Sequence, residues 1–283
     1  MTVAITGADG FTGLYVCAEL DRREIPWCSL SADLRDAAAV DAEIAAAPPF
    51  DALIHLAAVA FAGGGDWRAF YDVNQIGTFN LLESVSRHRS EARCVIASSA
   101  QVYGSAASGI VDETYVCDPS NHYGISKYGM ELGTRNWSDR IEIIIARPFN
   151  YTGIGQEERY LIPKLVDHFS RRCDVVELGN VSVKRDFGDV RAVAQIYCEL
   201  ALTGQKIDVV NIGSGHLFSI TEIIAILTEL TGHNITVGIN PLFVRDDDVE
   251  ILGCNVDKLN SLFPTLRYPE FSDTLRWMLN IGV

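Results

Sequence analysis

Two side chains with a spacing suited to proton transfer, Tyr123 and Lys127, lie in the stretch NHYGISKYGMELGTRN, residues 121–136. Four residues make about one helical turn, so both side chains would lie on one face of a helix. A free phenol, with a pKa of about 10, exchanges protons poorly at neutral pH. A cation one turn away favours the phenolate and lowers that pKa, which would make Tyr123 a usable proton donor. Such pairs also occur as solvated side chains on ordinary helices, so spacing alone leaves both interpretations open.

A second candidate for chemistry is the glycine-containing segment GADGFTG near the N-terminus, which contains Gly7, Gly10 and Gly13. It follows the first apolar run and opens a helical pattern. Glycines allow a tight turn and a close approach of the backbone to a pyrophosphate, whose charge meets free N–H groups at the helix N-terminus. The spacing is GxxGxxG rather than GxGxxG, and its strand–turn–helix position favours a phosphate cradle over an ordinary turn.

The elements that must position these residues alternate between short apolar runs and helical patterns. The apolar runs predict strands at 3–6, 26–31, 52–58, 94–99 and 141–148, and helices are predicted at 12–23, 36–47, 66–90 and 122–138. Most of these strands are apolar on both faces, as a parallel sheet covered by helices requires. Asp36 is placed to cap the second helix and Pro48 to end it. The rhythm predicts a doubly wound parallel α/β sheet.

The pattern loosens after residue 150. Residues 208–215 are predicted to be another buried strand, and Ser219 with Glu222 forms a possible capping box at the start of an amphipathic helix. No repeat or linker separates the halves. We therefore predict that residues 1–152 with 183–212 form the dinucleotide-binding domain, and that residues 153–182 with 213–283 form a smaller, interleaved C-terminal lobe.

Composition limits the possible partners. The 283-residue chain is 48% hydrophobic and 21% charged, as is typical of a globular protein, and its formal net charge is −14. That charge disfavours nucleic acid and anionic membranes as partners. The seven cysteines are scattered without a CxxC, which favours reduced thiols in a cytoplasmic protein. The N-terminus lacks the features of a signal peptide, and no His, Cys and carboxylate cluster has metal-ligand spacing, so no metal is expected.

Several further segments occur in the order typical of one known family. They are HLAA (55–58), NQIGTFNLLE (74–83), ASSAQVYG (97–104), YGISK (123–127), RPFN (147–150), GIGQ (153–156) and VKRDFGDV (183–190). Together with the glycine segment, the chain resembles the extended short-chain dehydrogenase/reductase family of nucleotide-sugar enzymes over nearly its whole length. Residues 240–259 are similar to the tail of GDP-4-keto-6-deoxymannose reductases. The resemblance implies a Rossmann sheet with a smaller substrate lobe.

The resemblance assigns catalytic roles to Ser99, Tyr123 and Lys127. It implies that Tyr123 donates the proton, that Lys127 tunes it and holds the nicotinamide ribose, and that Ser99 hydrogen-bonds the substrate carbonyl. Related 4,6-dehydratases carry an Asp-Glu pair directly after the serine or threonine. Ala100 and Gln101 occupy those places here, and neither exchanges a proton at neutral pH, so dehydration is disfavoured.

The resemblance also implies a set of residues that bind the cofactor. They are Gly7, Gly10, Phe11, Gly13, Ser31, Asp33, Leu34, Leu56, Ala57, Ala58, Asn74, Tyr123, Lys127 and Arg147. For some of them a structural role competes: Asn74 could be a helix-interior amide, and Arg147 fits a brace of the fold better than a ligand contact. His55, beside this set, is interpreted as a core histidine bonded to backbone.

Cofactor preference depends on the end of the second predicted strand. An acid there would hold the adenosine ribose hydroxyls of NAD. Ser29 and Ser31 occupy this place, and Arg35 lies nearby. These residues could tolerate a 2′-phosphate, so NADP(H) is favoured and NAD(H) remains possible. Asp33 and Leu34 either edge the adenine or form a surface turn.

Substrate contacts are expected from Ser99, Gln101, Asn150, Arg185, Arg245 and Asp248. The two arginines offer planar forks of donors suited to a diphosphate, with Asp248 orienting Arg245 or contacting the nucleotide ribose, although surface ion pairs are the alternative role for the arginines. Three acidic residues follow Arg245, where the family usually has Arg-Pro, and this run could weaken diphosphate binding.

The function implied is reduction of the C4 keto group of a nucleoside-diphosphate 4-keto-6-deoxyhexose to a 6-deoxyhexose nucleotide. A 4-epimerase, which uses the same three residues with NAD, is the first alternative. A non-catalytic cofactor sensor or scaffold is the second. The resemblance also implies a homodimer formed through the helices near 70–90 and 122–138.

Overall fold

The computed structural model describes residues 1–60, 66–105, 107–241 and 249–281. The chain divides into two compact units. The first comprises residues 1–104, 113–148 and 194–212, and the second comprises 105–112, 149–193 and 213–283. Within the described ranges, no helix is long and apolar enough to cross a membrane.

The first unit is built on a six-stranded sheet in which every neighbouring pair is parallel. In spatial order its strands are β10 (Val209–Ile212), β6 (Ile143–Pro148), β4 (Arg93–Ala97), β3 (Ala52–His55), β1 (Val3–Thr6) and β2 (Trp27–Leu30). The chain leaves β1 on one side for β2 and returns on the other side for β3. This reversal creates a crevice at the carboxyl ends of the strands, and it confirms the predicted doubly wound architecture.

Helices of the first unit are α1 (Phe11–Arg22), α2 (Ala37–Ala46), α3 (Thr78–His88) and α4 (His122–Thr134). As predicted, the Asp36 carboxylate caps α2 by accepting from the N–H groups of Ala38 and Ala39, both at 3.0 Å. The predicted helix at 66–90 is instead a π-helical segment, Phe70–Gly77, that runs directly into α3. Short 3₁₀ turns cover Ala100–Tyr103 and Arg135–Trp137.

The core of the first unit is continuous across its sheet. Strands β1 and β3 are buried at every position, because helices cover both faces. One apolar cluster joins residues of the sheet, such as Leu53 and Ile96, to Leu81 of α3 and Met130 of α4. The helix that carries Tyr123 and Lys127 is therefore fixed against the sheet by its packing.

The described residues of the second unit form two smaller sheets. Five strands form the first: β5 (Gly109–Val111), β7 (Asn150–Thr152), β9 (Lys184–Asp189), β11 (Leu217–Ser219) and β13 (Ile251–Cys254). A pair forms the second: β8 (Val175–Leu178) with β12 (Thr236–Ile239). The helices described in this unit are α5 (Leu161–Ser170), α7 (Ile220–Thr231), α8 (Asp257–Leu262) and α9 (Phe271–Met278). The predicted capping box of Ser219 and Glu222 is confirmed at the start of α7.

The compact units differ from the predicted domain boundaries at three places. Residues 105–112, 149–152 and 183–193 belong to the second unit, whereas the predicted boundaries assign them to the dinucleotide-binding domain. The reason is strand pairing, since β5, β7 and β9 hydrogen-bond within the smaller sheet. Helix α6 (Val190–Leu202) crosses the boundary between the two units.

Candidate active site

The glycine segment forms a tight turn between β1 and α1. Gly7 has φ +70°, and a Cβ on it would lie 2.8 Å from the backbone nitrogen of Ala57. A Cβ on Gly13 would lie 2.0 Å from the carbonyl oxygen of Gly7. Gly10 is the N-cap of α1 and has no side chain to bond its first N–H groups, and Phe11 is the first residue of the helix. The uncapped N–H groups at the start of α1 can bind an anion, so the turn fits the pyrophosphate of a dinucleotide.

The loop after β3 lies directly against this turn. The N–H of Leu56 donates to the carbonyl oxygen of Thr6 at 3.2 Å, and the N–H of Ala57 donates to the Thr6 hydroxyl oxygen at 3.2 Å. Ala58 follows as an exposed residue. The structure therefore brings the predicted cofactor residues of the first and third strands together at the carboxyl edge of the sheet.

Asn74 lies in the π-helical segment, fully buried, and holds the chain just after this loop. Its amide oxygen accepts from the N–H of Val59 at 2.8 Å, and its NH₂ group donates to the carbonyl oxygen of Val59 at 3.0 Å. The same NH₂ donates to Ser126 Oγ at 3.1 Å. Asn74 thus connects the cofactor loop to α4, which favours a positioning role over direct contact with the nicotinamide.

His55 joins β1, β3 and α3 through side-chain hydroxyls rather than backbone groups, which corrects our expectation. Its Nε2 lies 2.9 Å from Thr78 Oγ1, and Thr78 donates its own proton to the carbonyl oxygen of Asn74. Nε2 must therefore carry the ring proton, and Nδ1 accepts from the Thr6 hydroxyl at 2.6 Å. Burial, with the nearby Lys127 charge, lowers the pKa of His55 to about 3, so the ring is neutral.

The residues after β2 are held by acidic side chains. The N–H and hydroxyl groups of Ser31 both donate to Glu43, at 2.8 and 3.3 Å. Arg35, which we expected to tolerate a 2′-phosphate, instead forms an ion pair with Asp33 at 2.6 Å. Leu34 is buried, and its carbonyl oxygen accepts from the Asn80 amide at 2.8 Å. Sequence reasoning missed Glu43, because it lies twelve residues from Ser31 on another element.

Ser99 follows the end of β4, and Lys127 bonds to that same end of the strand. The Lys127 ammonium is buried and donates to the carbonyl oxygen of Ala97 at 2.8 Å, two residues before Ser99. Ser99 Oγ accepts from the N–H of Gln101 at 3.2 Å, and within the described ranges nothing accepts its hydroxyl proton. Two further Lys127 protons likewise have no acceptor in the described part of the chain. These groups are therefore free to bind ligand oxygens.

Tyr123 lies one helical turn before Lys127 on α4, half-buried, with its ring edge-on to Phe70 at 5.9 Å between centroids. The start of α4 is held close to Ser99, because a Cβ on Gly124 would lie 2.6 Å from the carbonyl oxygen of Gln101. Asn121 caps the helix by accepting from the N–H of Gly124 at 2.9 Å. The structure thus places Ser99, Tyr123 and Lys127 on adjoining elements of one unit.

One helical turn after Lys127, Glu131 forms a buried ion pair that sequence reasoning did not anticipate. Arg147 donates to both oxygens of Glu131, at 3.0 and 2.6 Å, and to the Tyr103 hydroxyl at 3.1 Å. Ser98 also donates to Glu131. Burial lowers the pKa of Lys127 to about 8, and the charge of Glu131 opposes that shift. The signal available in the sequence was the four-residue spacing from Lys127 to Glu131, which puts both on one face.

Arg147 was also predicted to bind the cofactor. All three of its guanidinium nitrogens donate to Glu131 or Tyr103, and the residue is 7% exposed. The Tyr103 hydroxyl in turn donates to the Asn211 side-chain oxygen of β10 at 2.7 Å. These contacts tie α4, β6 and β10 together, which fits a bracing role better than ligand contact.

The expected substrate residues are divided between the units. In the first unit, the Gln101 side-chain oxygen accepts from the Asn121 amide at 3.1 Å. In the second unit, Asn150 and Arg185 lie on the paired strands β7 and β9. Asn150 is opposite Phe187, so Arg185 lies two residues away on the same face of the sheet. Arg245 and Asp248 lie outside the described residues.

Three buried cysteines are poor nucleophiles. All seven are free thiols. Burial raises the pKa of Cys17 to about 11 and those of Cys94 and Cys198 to about 12, which keeps these thiols protonated at neutral pH. Across the described ranges, no group of three or more His, Cys, Asp or Glu side chains is arranged to hold a metal ion.

This chain combines a parallel sheet, a glycine turn after β1 and a helix with Tyr123 and Lys127 beside β4. These features together define a class of dinucleotide-dependent proteins. The chain belongs to the NAD dependent epimerase/dehydratase family, whose model matches residues 3–213. This family is the one expected from the sequence motifs.

Individual relatives cover nearly the whole chain. The protein is 32% identical to GDP-6-deoxy-D-talose 4-dehydrogenase of Aggregatibacter actinomycetemcomitans, over 95% of this chain and 93% of that protein. It is 29% identical to GDP-6-deoxy-D-mannose reductase of Pseudomonas aeruginosa, over 85% and 84% of the two chains. The structure of RMD from Pseudomonas aeruginosa complexed with NADPH superposes with a TM-score of 0.89 and 25% identity, over 99% of this chain and 96% of that one. The structure of a putative epimerase from Burkholderia cenocepacia J2315 superposes with a TM-score of 0.92 and 37% identity, over 99% and 97% of the two chains. The protein is therefore a nucleotide-sugar-modifying, NAD(P)-dependent enzyme by family.

Proposed function

We propose that the protein reduces the C4 keto group of a nucleoside-diphosphate 4-keto-6-deoxyhexose to a 6-deoxyhexose nucleotide, with NAD(P)H as the reductant. The observation that carries this proposal is the buried Lys127 ammonium, bonded to the end of β4 beside Ser99 and one helical turn from Tyr123. Two relatives, a 4-dehydrogenase and a reductase, have names that describe oxidation and reduction of 6-deoxyhexose nucleotides.

The chain's own residues supply the proton and the electrostatics of this reaction. The nicotinamide, when bound, supplies the hydride that reduces the sugar carbonyl. Tyr123 gives its hydroxyl proton to the oxygen of that carbonyl, and the Ser99 hydroxyl donates a hydrogen bond to the same oxygen. Lys127, with a pKa of about 8, is still charged at neutral pH and favours the phenolate that Tyr123 leaves behind. Its remaining protons are available to the nicotinamide ribose.

The cofactor fits the glycine turn, where the backbone of Gly7 and Gly13 leaves no room for side chains. In the second unit, Asn150 and Arg185 remain predicted substrate residues, the arginine for its donors to a diphosphate. Arg245 and Asp248 remain predicted substrate residues, as does Gln101.

A 4-epimerase is the second candidate, because the family description names epimerases and the same three residues serve that reaction. An epimerase returns the hydride to the opposite face of the sugar, so it causes no net change in cofactor. Ala100 and Gln101 offer neither acid nor base beside Ser99, so elimination of water is not proposed.

We also propose that the protein is a homodimer. Three apolar side chains, Ile76, Ile125 and Leu132, are 49%, 40% and 40% exposed on the π-helical segment and α4. Ile125 and Leu132 are seven residues apart and share one face of the helix. We call these three residues the apolar stripe. A second copy of the same stripe would cover it, in line with the helix-mediated dimer that the family resemblance implies.

The test is to incubate purified protein with NADH or NADPH and a panel of nucleoside-diphosphate 4-keto-6-deoxyhexoses while absorbance at 340 nm is followed. A lasting decrease with one sugar, and an NMR spectrum showing a new C4 hydrogen, supports the reductase. Turnover of the sugar without a lasting decrease would instead support the epimerase.

Tyr123→Phe tests the assigned proton donor. It should lower kcat by at least about a hundredfold, the typical contribution of general acid catalysis, while cofactor affinity changes little. Tyr128→Phe, the same change on the same helix, is the matched control and should retain activity. A Tyr123→Phe variant with full activity would refute the assignment.

A further inference from the structure

A carboxylate from α2 occupies the carboxyl end of β2. Glu43 is half-buried, and its two oxygens divide their contacts between consecutive backbone N–H groups. Oε1 accepts from the N–H of Ser31 at 2.8 Å and Oε2 from the N–H of Ala32 at 3.0 Å. The Ser31 hydroxyl adds a third contact to Oε1 at 3.3 Å. The carboxylate is thus fixed in place by the turn that follows the strand.

This turn lies next to the glycine turn. Strands β1 and β2 are parallel neighbours, and Thr6 is paired with Leu30, so Ser31 and Gly7 leave adjacent strands at the same level. In dinucleotide-binding sheets, the residue at this end of the second strand distinguishes an adenosine ribose with a 2′-hydroxyl from one with a 2′-phosphate. This chain has no acid in the strand itself, and Glu43 brings one there from the following helix.

The groups that would attract a 2′-phosphate are already engaged. The N–H groups of Ser31 and Ala32 donate to Glu43, and the Arg35 guanidinium pairs with Asp33 through Nη2 at 2.6 Å and Nε at 2.9 Å. In the described part of the chain, no lysine or arginine lies within ion-pair distance of Glu43. No cation therefore neutralises the carboxylate at the end of β2. It accepts three hydrogen bonds, and because a carboxylate has about four lone-pair sites, one on Oε2 is left for a ribose hydroxyl.

We propose that Glu43 is a specificity-determining residue that makes the protein prefer NAD(H) over NADP(H). The inference rests on the proposed function, because it assumes that a dinucleotide occupies the glycine turn. It reverses the preference expected from the sequence, where Ser29, Ser31 and Arg35 favoured NADP(H). The remaining lone pair of Glu43 accepts from a ribose hydroxyl, and its charge repels a 2′-phosphate, which carries about −1.5 to −2 charges at pH 7.

The experiment measures the dissociation constants of NADH and NADPH by titrating the fluorescence of each reduced cofactor with the purified protein, without substrate. Wild type should bind NADH at least about tenfold more tightly than NADPH. This is the repulsion expected between one carboxylate charge and a phosphate several Å away at the dielectric constant of water. Glu43→Ala removes the charge and frees two N–H groups, so it should decrease this ratio by about tenfold or more. Glu43→Gln removes only the charge and should decrease it in the same direction.

Asp41→Asn is the matched control, because Asp41 lies on the same helix but pairs with Arg87 at 2.8 Å and His88 at 3.1 Å. It should keep the wild-type ratio. Tighter binding of NADPH by wild type would overturn the inference, even if both Glu43 variants fail to fold. An unchanged ratio in folded Glu43→Ala and Glu43→Gln would also overturn it, while the proposed reductase would stand. Failure of wild type to bind either cofactor would refute the proposed function, and this inference with it.

Discussion

Replacing His55 by asparagine would test the hydroxyl network that joins β1, β3 and α3. The imidazole is buried and neutral, with the Thr6 hydroxyl donating to Nδ1 and the Nε2 proton donated to Thr78. Asparagine is shorter and cannot span both hydroxyls, so one of them loses its partner. It also removes a group whose protonation state depends on folding. The second effect has a distinctive dependence on pH.

The magnitude follows from the pKa of His55, which is about 3 in the folded protein and 6.5 in its ordinary range. Between these values the unfolded chain binds a proton that the native protein does not, so stability falls as pH falls. The full effect is about 5 kcal/mol, from 3.5 pH units at about 1.4 kcal/mol each. From pH 7 to pH 5 the loss is about 2 kcal/mol, which His55→Asn would not show.

The assay is urea unfolding of wild type and His55→Asn at pH 7 and pH 5. Each protein also loses stability through its carboxylates, so the informative quantity is the difference between the two free energies of unfolding. That difference should shrink by about 2 kcal/mol at the lower pH. His216→Asn, at an exposed histidine, is the control, and its free energy of unfolding should change with pH as that of wild type does. A difference that is the same at both pH values would refute a neutral, buried His55.

Two further predictions concern the glycine turn and the apolar stripe. Gly13→Ala would force a Cβ to 2.0 Å from the Gly7 carbonyl oxygen, so we expect about 3 kcal/mol lower stability and no dinucleotide binding, by thermal melting and fluorescence titration. Gly204→Ala is the control, because a Cβ there meets nothing within 4 Å, and it should melt at the wild-type temperature. If Gly13→Ala also melted at that temperature, the geometry of the turn would be wrong. Ile125→Asp should convert a dimer to a monomer in light scattering, whereas Ile110→Asp should not; an unchanged mass for Ile125→Asp would exclude the stripe as the interface.

Local signals in the sequence were sufficient for the parallel sheet and for the helix that carries Tyr123 and Lys127. Helix α4 begins at His122, where predicted, because Asn121 caps it, and α2 begins after Asp36 for the same reason. The strand predicted at 52–58 ends at His55 instead, since the N–H of Ala57 bonds to the Thr6 hydroxyl rather than to a strand. Capping and burial are properties of a few neighbouring residues, so they can be read from the chain.

Contacts between distant residues could not be predicted in this way. Glu43 bonds to the turn at Ser31, and Glu131 pairs with Arg147, only because the fold brings separate elements together. The strands of the second unit were not predicted either, because strands such as β5 and β11 have three residues each and show no measurable periodicity. The π-helical segment has the composition of an ordinary helix, so nothing in its sequence distinguished it.

Tyr123, Lys127 and Glu131 are spaced by four residues each, and Arg147 anchors the last of them to the sheet. Inserting or deleting one residue between 123 and 131 would rotate one side chain by about 100° away from the others. Loss of Glu131 or Arg147 alone would strand a charge in the interior, whereas replacing both together would not. Natural relatives should therefore show no insertions or deletions in this helix. Where residue 131 is substituted, residue 147 should be substituted as well.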